Sequence, residues 1–298
     1  MSDFRLKVFQ SVAKNLSFTK ASQELFVSQP AITKHIQELE AAYQTRLFDR
    51  QGSRISLTEA GKLLLEHCER ILEDYKRLEY EMHLLHNEYT GGLKLGASTT
   101  IAQYVLPPLL ASFIGKFPQV SLSLLNGNSR EIEAALQEHR IDLGFVEGVF
   151  RLPNIRYTTF LEDELVAVVR TGSKLAVGEE ITPDELFHLP LVLRERGSGT
   201  LDVFERALQQ HNIKLSSLQV LMYLGSTESI KLFLEHTDCL GIVSVRSITR
   251  ELYSGQLRVV EIKGMPMLRD FSFAQPQGQE SGLAQVFMQF AMHNNHKL

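Results

Sequence analysis

Four short stretches of this 298-residue chain gather groups that bind small anions. Ala97-Ser98-Thr99-Thr100, Gly127-Asn128-Ser129, Gly197-Ser198-Gly199-Thr200 and Gly225-Ser226-Thr227 each place hydroxyls where an apolar run gives way to a helical one. At a helix start, free backbone N–H groups and the positive end of the helix dipole favour a negative group, so a small anion or carboxylate suits such a junction. Taken singly, each junction reads as readily as an N-cap, and only convergence in space would make a site. A second cluster of donors, Ser28, Gln29, Thr33, Lys34 and Gln37, lies near the start of the chain.

Other chemistry is poorly served. Gly197-Ser198-Gly199 lacks the spacing of a G-x-S-x-G nucleophile elbow, no phosphate loop with Lys follows a strand, and no HExxH occurs. Neither an enzyme nor a bound cofactor is expected. His83 and His86 lie three apart and His67 adjoins Cys68, but further ligands at workable spacing are missing, so no metal site is expected. The two cysteines, Cys68 and Cys239, sit outside any C-x-x-C pattern and read as reduced thiols.

The length exceeds one typical domain, and 44% hydrophobic with 22% charged residues is ordinary for a chain that folds throughout. No uncharged apolar run of about 18 residues occurs, and MSDFRLKVFQ lacks the apolar region of a secretory signal. A cytoplasmic protein without membrane contact is expected, which disfavours an exported solute-binding receptor. The net charge is −4, yet Met1 to Thr58 carries an excess of three positive charges, the asymmetry that matters for nucleic acid.

The elements behind the N-terminal donors follow from spacing. Phe9, Val12, Ala13 and Leu16 predict a helix from about Asp3 to Asn15. Ser17 or Thr19 caps a second, carrying Phe18, Ala21 and Leu25 inward. After the turn Phe26-Val27-Ser28, Pro30 falls in the first turn of a third helix, where its missing N–H costs nothing. Ile32, Ile36 and Leu39 point inward, leaving Pro30, Thr33, Lys34 and Gln37 on the opposite side. A short helix, a turn and a helix with an outward row of donors is a helix-turn-helix, although a plain three-helix bundle carries the same pattern. Arg50, Gly52 and Arg54 before Ile55-Ser56-Leu57 then predict a basic wing whose arginines neutralise phosphates.

The run Ser28-Gln29-Pro30-Ala31, Ile36, Leu39-Glu40, Leu47-Phe48, Arg50 and Leu57-Thr58-x-Ala60-Gly61 resembles the winged helix-turn-helix of LysR-type transcriptional regulators across about sixty residues. The resemblance implies DNA contacts from Ser28, Gln29, Pro30, Thr33, Lys34, Gln37, Arg50 and Arg54. One departure stands out: the family usually has Leu-Gly after the third helix, and this chain has Tyr43-Gln44. Glycine there takes the left-handed conformation, so Gln44 either accepts about 1 kcal/mol of strain or ends the helix differently.

Thr58 caps a helix expected from Glu59 to about Glu88, stopped by Gly91-Gly92. Leu64, Cys68, Ile71, Tyr75, Leu78, Met82, Leu85 and Tyr89 alternate in steps of four and three, a coiled-coil seam that pairs with a second copy or packs on the chain itself. A two-fold dimer would present two reading helices to a palindrome. The resemblance favours a homodimer through this linker helix and a homotetramer beyond it, with RNA polymerase as a further partner to consider.

Beyond residue 91, apolar runs alternate with amphipathic helices, the pattern of a parallel sheet with crossover helices. Two α/β lobes are expected, with the chain returning to the first near its end. The resemblance extends here to the family's effector domain, which looks like two-lobed periplasmic binding proteins. It implies a winged head over 1–58, a linker over 59–90 and an effector domain over 91–298. Within it, lobe I takes about 91–162 and 267–298, and lobe II about 163–266. Carried over by position, Ser98, Thr99, Thr100, Asn128, Glu147, Arg194, Ser198 and Thr200 line the effector cleft. Leu193 to Thr200 also looks like sulfur-metabolism regulators of the family, implying an oxyanion such as sulfite or sulfate. Glu147 and Glu195 oppose an anion unless arginine offsets them.

Overall fold

The computed structural model describes residues 4–51, 54–86, 89–175, 178–277 and 282–295, in two compact units, Met1–Asn87 and Glu88–Leu298.

In the first unit, α1 (Phe4–Asn15) and α2 (Phe18–Glu24) pack with α3 (Gln29–Tyr43) around Phe9, Val12, Phe18, Ala21, Ile32, Ile36 and Leu39. Ser17 caps α2 by accepting from Lys20 N, and Ser28 caps α3 by accepting from Ala31 N at 3.4 Å, with Pro30 in the first turn. Leu25 ends α2 as its C-cap and is half-buried, so it contributes less to the core than its spacing predicts. Gln44 takes the left-handed conformation with φ 51, so α3 ends as a glycine would end it, with the strain retained.

The wing is an antiparallel pair, β1 (Phe48–Gln51) and β2 (Arg54–Leu57). Glu40 Oε1 ties it to α3 by accepting from Leu47 N at 2.8 Å and Phe48 N at 3.4 Å. Thr58 caps α4 (Glu59–His86), accepting from Gly61 N at 3.0 Å. A Cβ at Gly61 would stand 2.2 Å from Leu47 O, so only glycine lets this helix approach the wing base.

The seam on α4 divides. Cys68 and Leu72 are buried in the head, with Leu64 and Leu65 partly covered, because the head overlies that side of the first turns. Ile71, Leu78 and Met82, on another row, are 39%, 52% and 48% exposed in the single chain. The Leu85 side chain lies outside the described residues. Tyr89 lies beyond the helix, its ring packed edge-on to Phe117 at 5.7 Å.

The second unit begins with β3 (Gly91–Ser98), a π-helical turn (Ile101–Val105) and α5 (Leu106–Lys116), then β4 (Val120–Gly127), α6 (Ser129–Gln137) and β5 (Leu143–Glu147). The parallel pairs β3–β4 and β3–β5 follow the predicted alternation. The expected single helix from Ile101 is instead π-helical until Pro107 and Pro108 restart it, since proline supplies no N–H for a continuous ladder. Next comes β6 (Ile155–Arg170), then the short β7 (Glu180–Ile181).

Strands β8 (Pro190–Arg194), β9 (Gln219–Leu224) and β10 (Leu240–Ser244) alternate with α7 (Gly199–Gln210), α8 (Thr227–His236) and the short α9 (Thr249–Tyr253). The chain then forms β11 (Leu257–Ile262), β12 (Met267–Pro276) and α10 (Gly282–Asn294). The return to lobe I is direct: Phe287 and Phe290 of α10 pack on Phe113 of α5, ring centres 4.8 and 5.1 Å apart.

The strand order β4-β3-β5-β12-β6-β10-β8-β9 makes one mixed sheet of two parallel ends joined in the middle. There β12 runs antiparallel to β6 from Met267↔Leu165 to Pro276↔Ile155, with one register shift at Phe271/Ser272. These two strands carry both lobes. The purely parallel sheet read from the alternation is thus corrected to a mixed one.

Candidate functional site

On the first unit, the start of α3 exposes Ser28, Gln29, Pro30, Lys34 and Gln37, with Thr33 half-buried between them. Thr33 Oγ1 donates to Gln29 O at 3.1 Å, and Thr19 Oγ1 donates to Gln29 Oε1 at 3.5 Å. Lys34 Nζ stands 4.0 Å from Glu38 Oε1, so the row is less free of acid than its face suggests. A hollow of about 470 Å³ between α3 and the wing is lined by Thr33, Gln37, Arg46 and Asp49. Arg50 and Arg54 lie in β1 and β2, but their side chains are outside the described residues. The exposed, donor-rich helix start is the geometry that enters a major groove.

The second unit brings together strand ends and helix starts. Arg194, at the end of β8, is 1% exposed. Its Nε donates to Glu195 Oε2 at 2.8 Å and its Nη2 to Glu195 Oε1 at 3.0 Å, a two-pronged pair. Nη2 also lies 3.3 Å from Thr99 Oγ1 and 3.4 Å from Gly225 O, and Nη1 reaches Thr227 Oγ1 at 3.5 Å. Arg194 therefore joins two of the four junctions singled out by their hydroxyls, the one at Thr99 and the one at Gly225 and Thr227.

Glu147, buried at the end of β5, is the second centre. Thr100 and Thr200 donate to its Oε1 at 3.3 and 3.5 Å, and Arg269 Nη2 pairs with its Oε2 at 3.1 Å. Ser129 Oγ donates to the Glu147 carbonyl at 2.8 Å. A Cβ at Gly199 would fall 2.2 Å from that same carbonyl, so the α7 start abuts the end of β5 without intervening space.

Two residues of the expected set act as caps. Asn128 forms a capping box with Glu131, and Ser198 accepts from Leu201 N at 3.2 Å, which is the simpler reading of those junctions. Ser98 differs. It is 1% exposed at the end of β3, and its Oγ has no hydrogen-bond partner among the described residues. A buried hydroxyl left unpaired costs about 1–3 kcal/mol, which a bound ligand would recover.

Arg269 and Asp163 were not anticipated. Both side chains are fully buried, with Arg269 Nε donating to Asp163 Oδ2 at 2.7 Å and Ser244 Oγ to Asp163 Oδ1 at 2.7 Å. Arg269 Nη1 also donates to Thr200 Oγ1 at 3.0 Å. A signal was present: Met267, Arg269 and Phe271 share one face of a strand whose apolar members are buried, so the arginine between them faces inward. With Arg246 Nε 3.6 Å from Asp163 Oδ1, the arginines 194, 246 and 269 balance the carboxylates 147, 163 and 195.

At the rim, the Tyr104 hydroxyl donates to Glu228, while Lys231 Nζ lies 5.2 Å from the Tyr104 ring centre and 2.7 Å from Glu228. Burial, then the Glu228 contact, raises the Tyr104 hydroxyl far above its ordinary range. Among the described residues no cluster of histidine, cysteine or carboxylate groups could hold a metal.

Comparison with known proteins finds matches to both units. A family model described as the LysR substrate binding domain matches residues 86–295, and one described as a bacterial regulatory helix-turn-helix protein of the lysR family matches 4–62. The HTH-type transcriptional regulator YeiE of Escherichia coli K12 is 35% identical over 258 residues, 87% of this chain and 85% of that one. The regulatory domain of Synechocystis CcmR, solved in complex with 2-PG, is 28% identical with a TM-score of 0.62, covering 68% of this chain and 97% of that domain. CrgA of Neisseria meningitidis shares the fold over 99% of both chains, with a TM-score of 0.73 at 20% identity.

Proposed function

The chain belongs to the LysR family of DNA-binding transcriptional regulators that respond to small effectors, and on that premise we propose that it reads DNA through α3 and an anion through the Arg194 cleft. Its relatives are regulators and not enzymes.

For DNA, the reading rests on Ser28, Gln29, Pro30, Thr33, Lys34 and Gln37, with Arg50 and Arg54 on the phosphates. The chain acts as a homodimer through α4, which the exposed Ile71, Leu78 and Met82 support because a heptad row open to water favours a second helix. The outer strands β4 and β9 expose Leu124, Leu125, Leu221, Met222 and Tyr223, which supports further pairing into a tetramer. No helix among the described residues is long and apolar enough to cross a membrane, in keeping with action in the cytoplasm.

For the effector, the observation that carries the reading is a nearly inaccessible guanidinium at the junction of strand ends, bonded to Thr99, whose chain neighbour Ser98 has a buried hydroxyl without a partner among the described residues. A planar fork of donors suits a small oxyanion such as sulfite or sulfate, and a related regulatory domain holds 2-PG. Ser98, Thr99, Thr100, Thr200 and the α7 start at Ser198 supply the remaining donors, with Asn128 and Glu147 bordering them.

Thermal unfolding of the full chain with sodium sulfite or sodium sulfate tests this. An anion at a hundred times its dissociation constant adds about 2.7 kcal/mol, a clear rise in midpoint. No rise with either anion beyond that of sodium chloride at equal ionic strength would remove the oxyanion reading.

A further inference from the structure

Arg194 is buried, yet it is not vacant. A guanidinium grips an oxyanion with two adjacent N–H groups, either Nε with Nη2 or Nη1 with Nη2. Both forks use Nη2, which already faces Glu195 Oε1, Thr99 Oγ1 and Gly225 O with two hydrogens to share. Neither fork is free. For an anion to be held by two prongs, one of these acceptors has to leave.

Only one can do so cheaply. Gly225 O belongs to the backbone, and Thr99 is buried and also donates to Gly127 O at 3.2 Å. Glu195 is different: its side chain is 26% exposed, against 1% for its arginine partner, so a rotation carries its carboxylate into water. Its backbone stays fixed meanwhile, since Glu195 N donates to Leu224 O at 3.2 Å and Glu195 O accepts from Ser198 N at 3.2 Å. Charge points the same way. An oxyanion added while the Glu195 carboxylate stays would set two negative groups on one buried guanidinium, so the arrival of one favours the departure of the other.

We propose that Glu195 is a built-in competitor of the effector: its carboxylate occupies the Arg194 fork in the empty protein, and an oxyanion binds by displacing it. This rests on the anion reading of the cleft given above. It gives the chain a threshold, because the anion must exceed the effective concentration of a tethered carboxylate before the fork exchanges partners. It also makes Glu195 a selector, since a ligand able to use only one prong cannot displace a two-pronged competitor.

The test is calorimetric titration of sodium sulfite and sodium sulfate into the full chain and four variants. Glu195→Gln and Glu195→Ala are expected to lower the dissociation constant about tenfold or more. Glu195→Asp, which keeps the charge but shortens the reach, is expected to lower it several-fold. If the neutral variants tighten while Glu195→Asp binds as the unaltered chain does, the effect is one of field alone and displacement is wrong. If neither neutral variant tightens while Arg194→Lys abolishes binding, the competitor is ruled out and the cleft stands. If Arg194→Lys, checked by its melting curve, binds as the unaltered chain does, the cleft assignment fails. If no variant binds either anion at millimolar concentration, both fail together.

Discussion

Arg269 and Asp163 face each other across the β12–β6 ladder, and the guanidinium Nε donates to the carboxylate at 2.7 Å with both side chains fully buried. The pair sits on the two strands that carry both lobes, and through Nη1 and Nη2 the same guanidinium reaches Thr200 and Glu147. The strands that join the two lobes and the proposed effector cleft therefore share one charged group.

Removing that group leaves two carboxylates buried without their partner. Arg269→Ala should lower the unfolding free energy by about 3–5 kcal/mol in a urea titration. A loss below about 1 kcal/mol would mean that water or Arg246 replaces the guanidinium.

Gly199 offers a steric test of the same junction. A Cβ there meets the Glu147 carbonyl at 2.2 Å, whereas one at Gly225 meets nothing within 4 Å. Gly199→Ala should cost about 1–3 kcal/mol, and Gly225→Ala should stay within about 0.5 kcal/mol. Equal melting temperatures for the two variants would contradict the close approach of α7 to β5.

Glu133 supplies a pH signature. It is buried on α6, accepts from the Tyr157 hydroxyl at 2.5 Å, and its carboxyl is raised above the usual carboxylate value, chiefly by burial. The folded chain keeps this proton to higher pH than the unfolded chain does. Its contribution to stability is full below the unfolded value and falls as pH rises through the folded one. Glu133→Gln should remove that part of the fall from about pH 4.5 towards neutrality, read as the difference between two melting-temperature profiles. Parallel profiles would refute the shift.

The regular elements of this chain were legible because one physical signal dominated each. Ile32, Ile36 and Leu39 fixed the inward side of α3, and the apolar runs at Leu93 and Leu191 marked buried strands, while the run at Val120 marked an edge strand that stays largely exposed. The first half of β6 was not legible: Arg156, Thr158, Thr159 and Glu162 break up its apolar residues, and only its length against β12 makes it a strand. Arg269 was missed because a strand arginine reads as solvent-facing until its inward neighbours are counted. The two-pronged Arg194–Glu195 pair was invisible for another reason: adjacent strand residues point to opposite faces, and the two meet because β8 ends at Arg194 and Glu195 opens the turn that Ser198 N closes on its carbonyl at 3.2 Å.

The cysteines give a negative prediction. Burial pushes the thiols of Cys68 and Cys239 up to about 11, and Cys68 Sγ donates to Leu6 O at 3.3 Å. Thiolate is scarce at pH 8 for such groups, so a disulfide reagent should label neither within minutes unless the chain is unfolded. Rapid labelling of the native protein would reverse this and make a thiol switch worth considering.

The most direct measurement is fluorescence anisotropy at fixed salt, using a genomic fragment selected against random competitor DNA, with and without sulfite. The expected result is that the fragment binds more tightly than random DNA, that Lys34→Ala weakens it, and that sulfite changes the affinity by about 5–150-fold in the unaltered chain but not in Arg194→Lys. No preference for any genomic fragment over random DNA, with or without the anion, would contradict a DNA-reading head coupled to an anion-reading cleft.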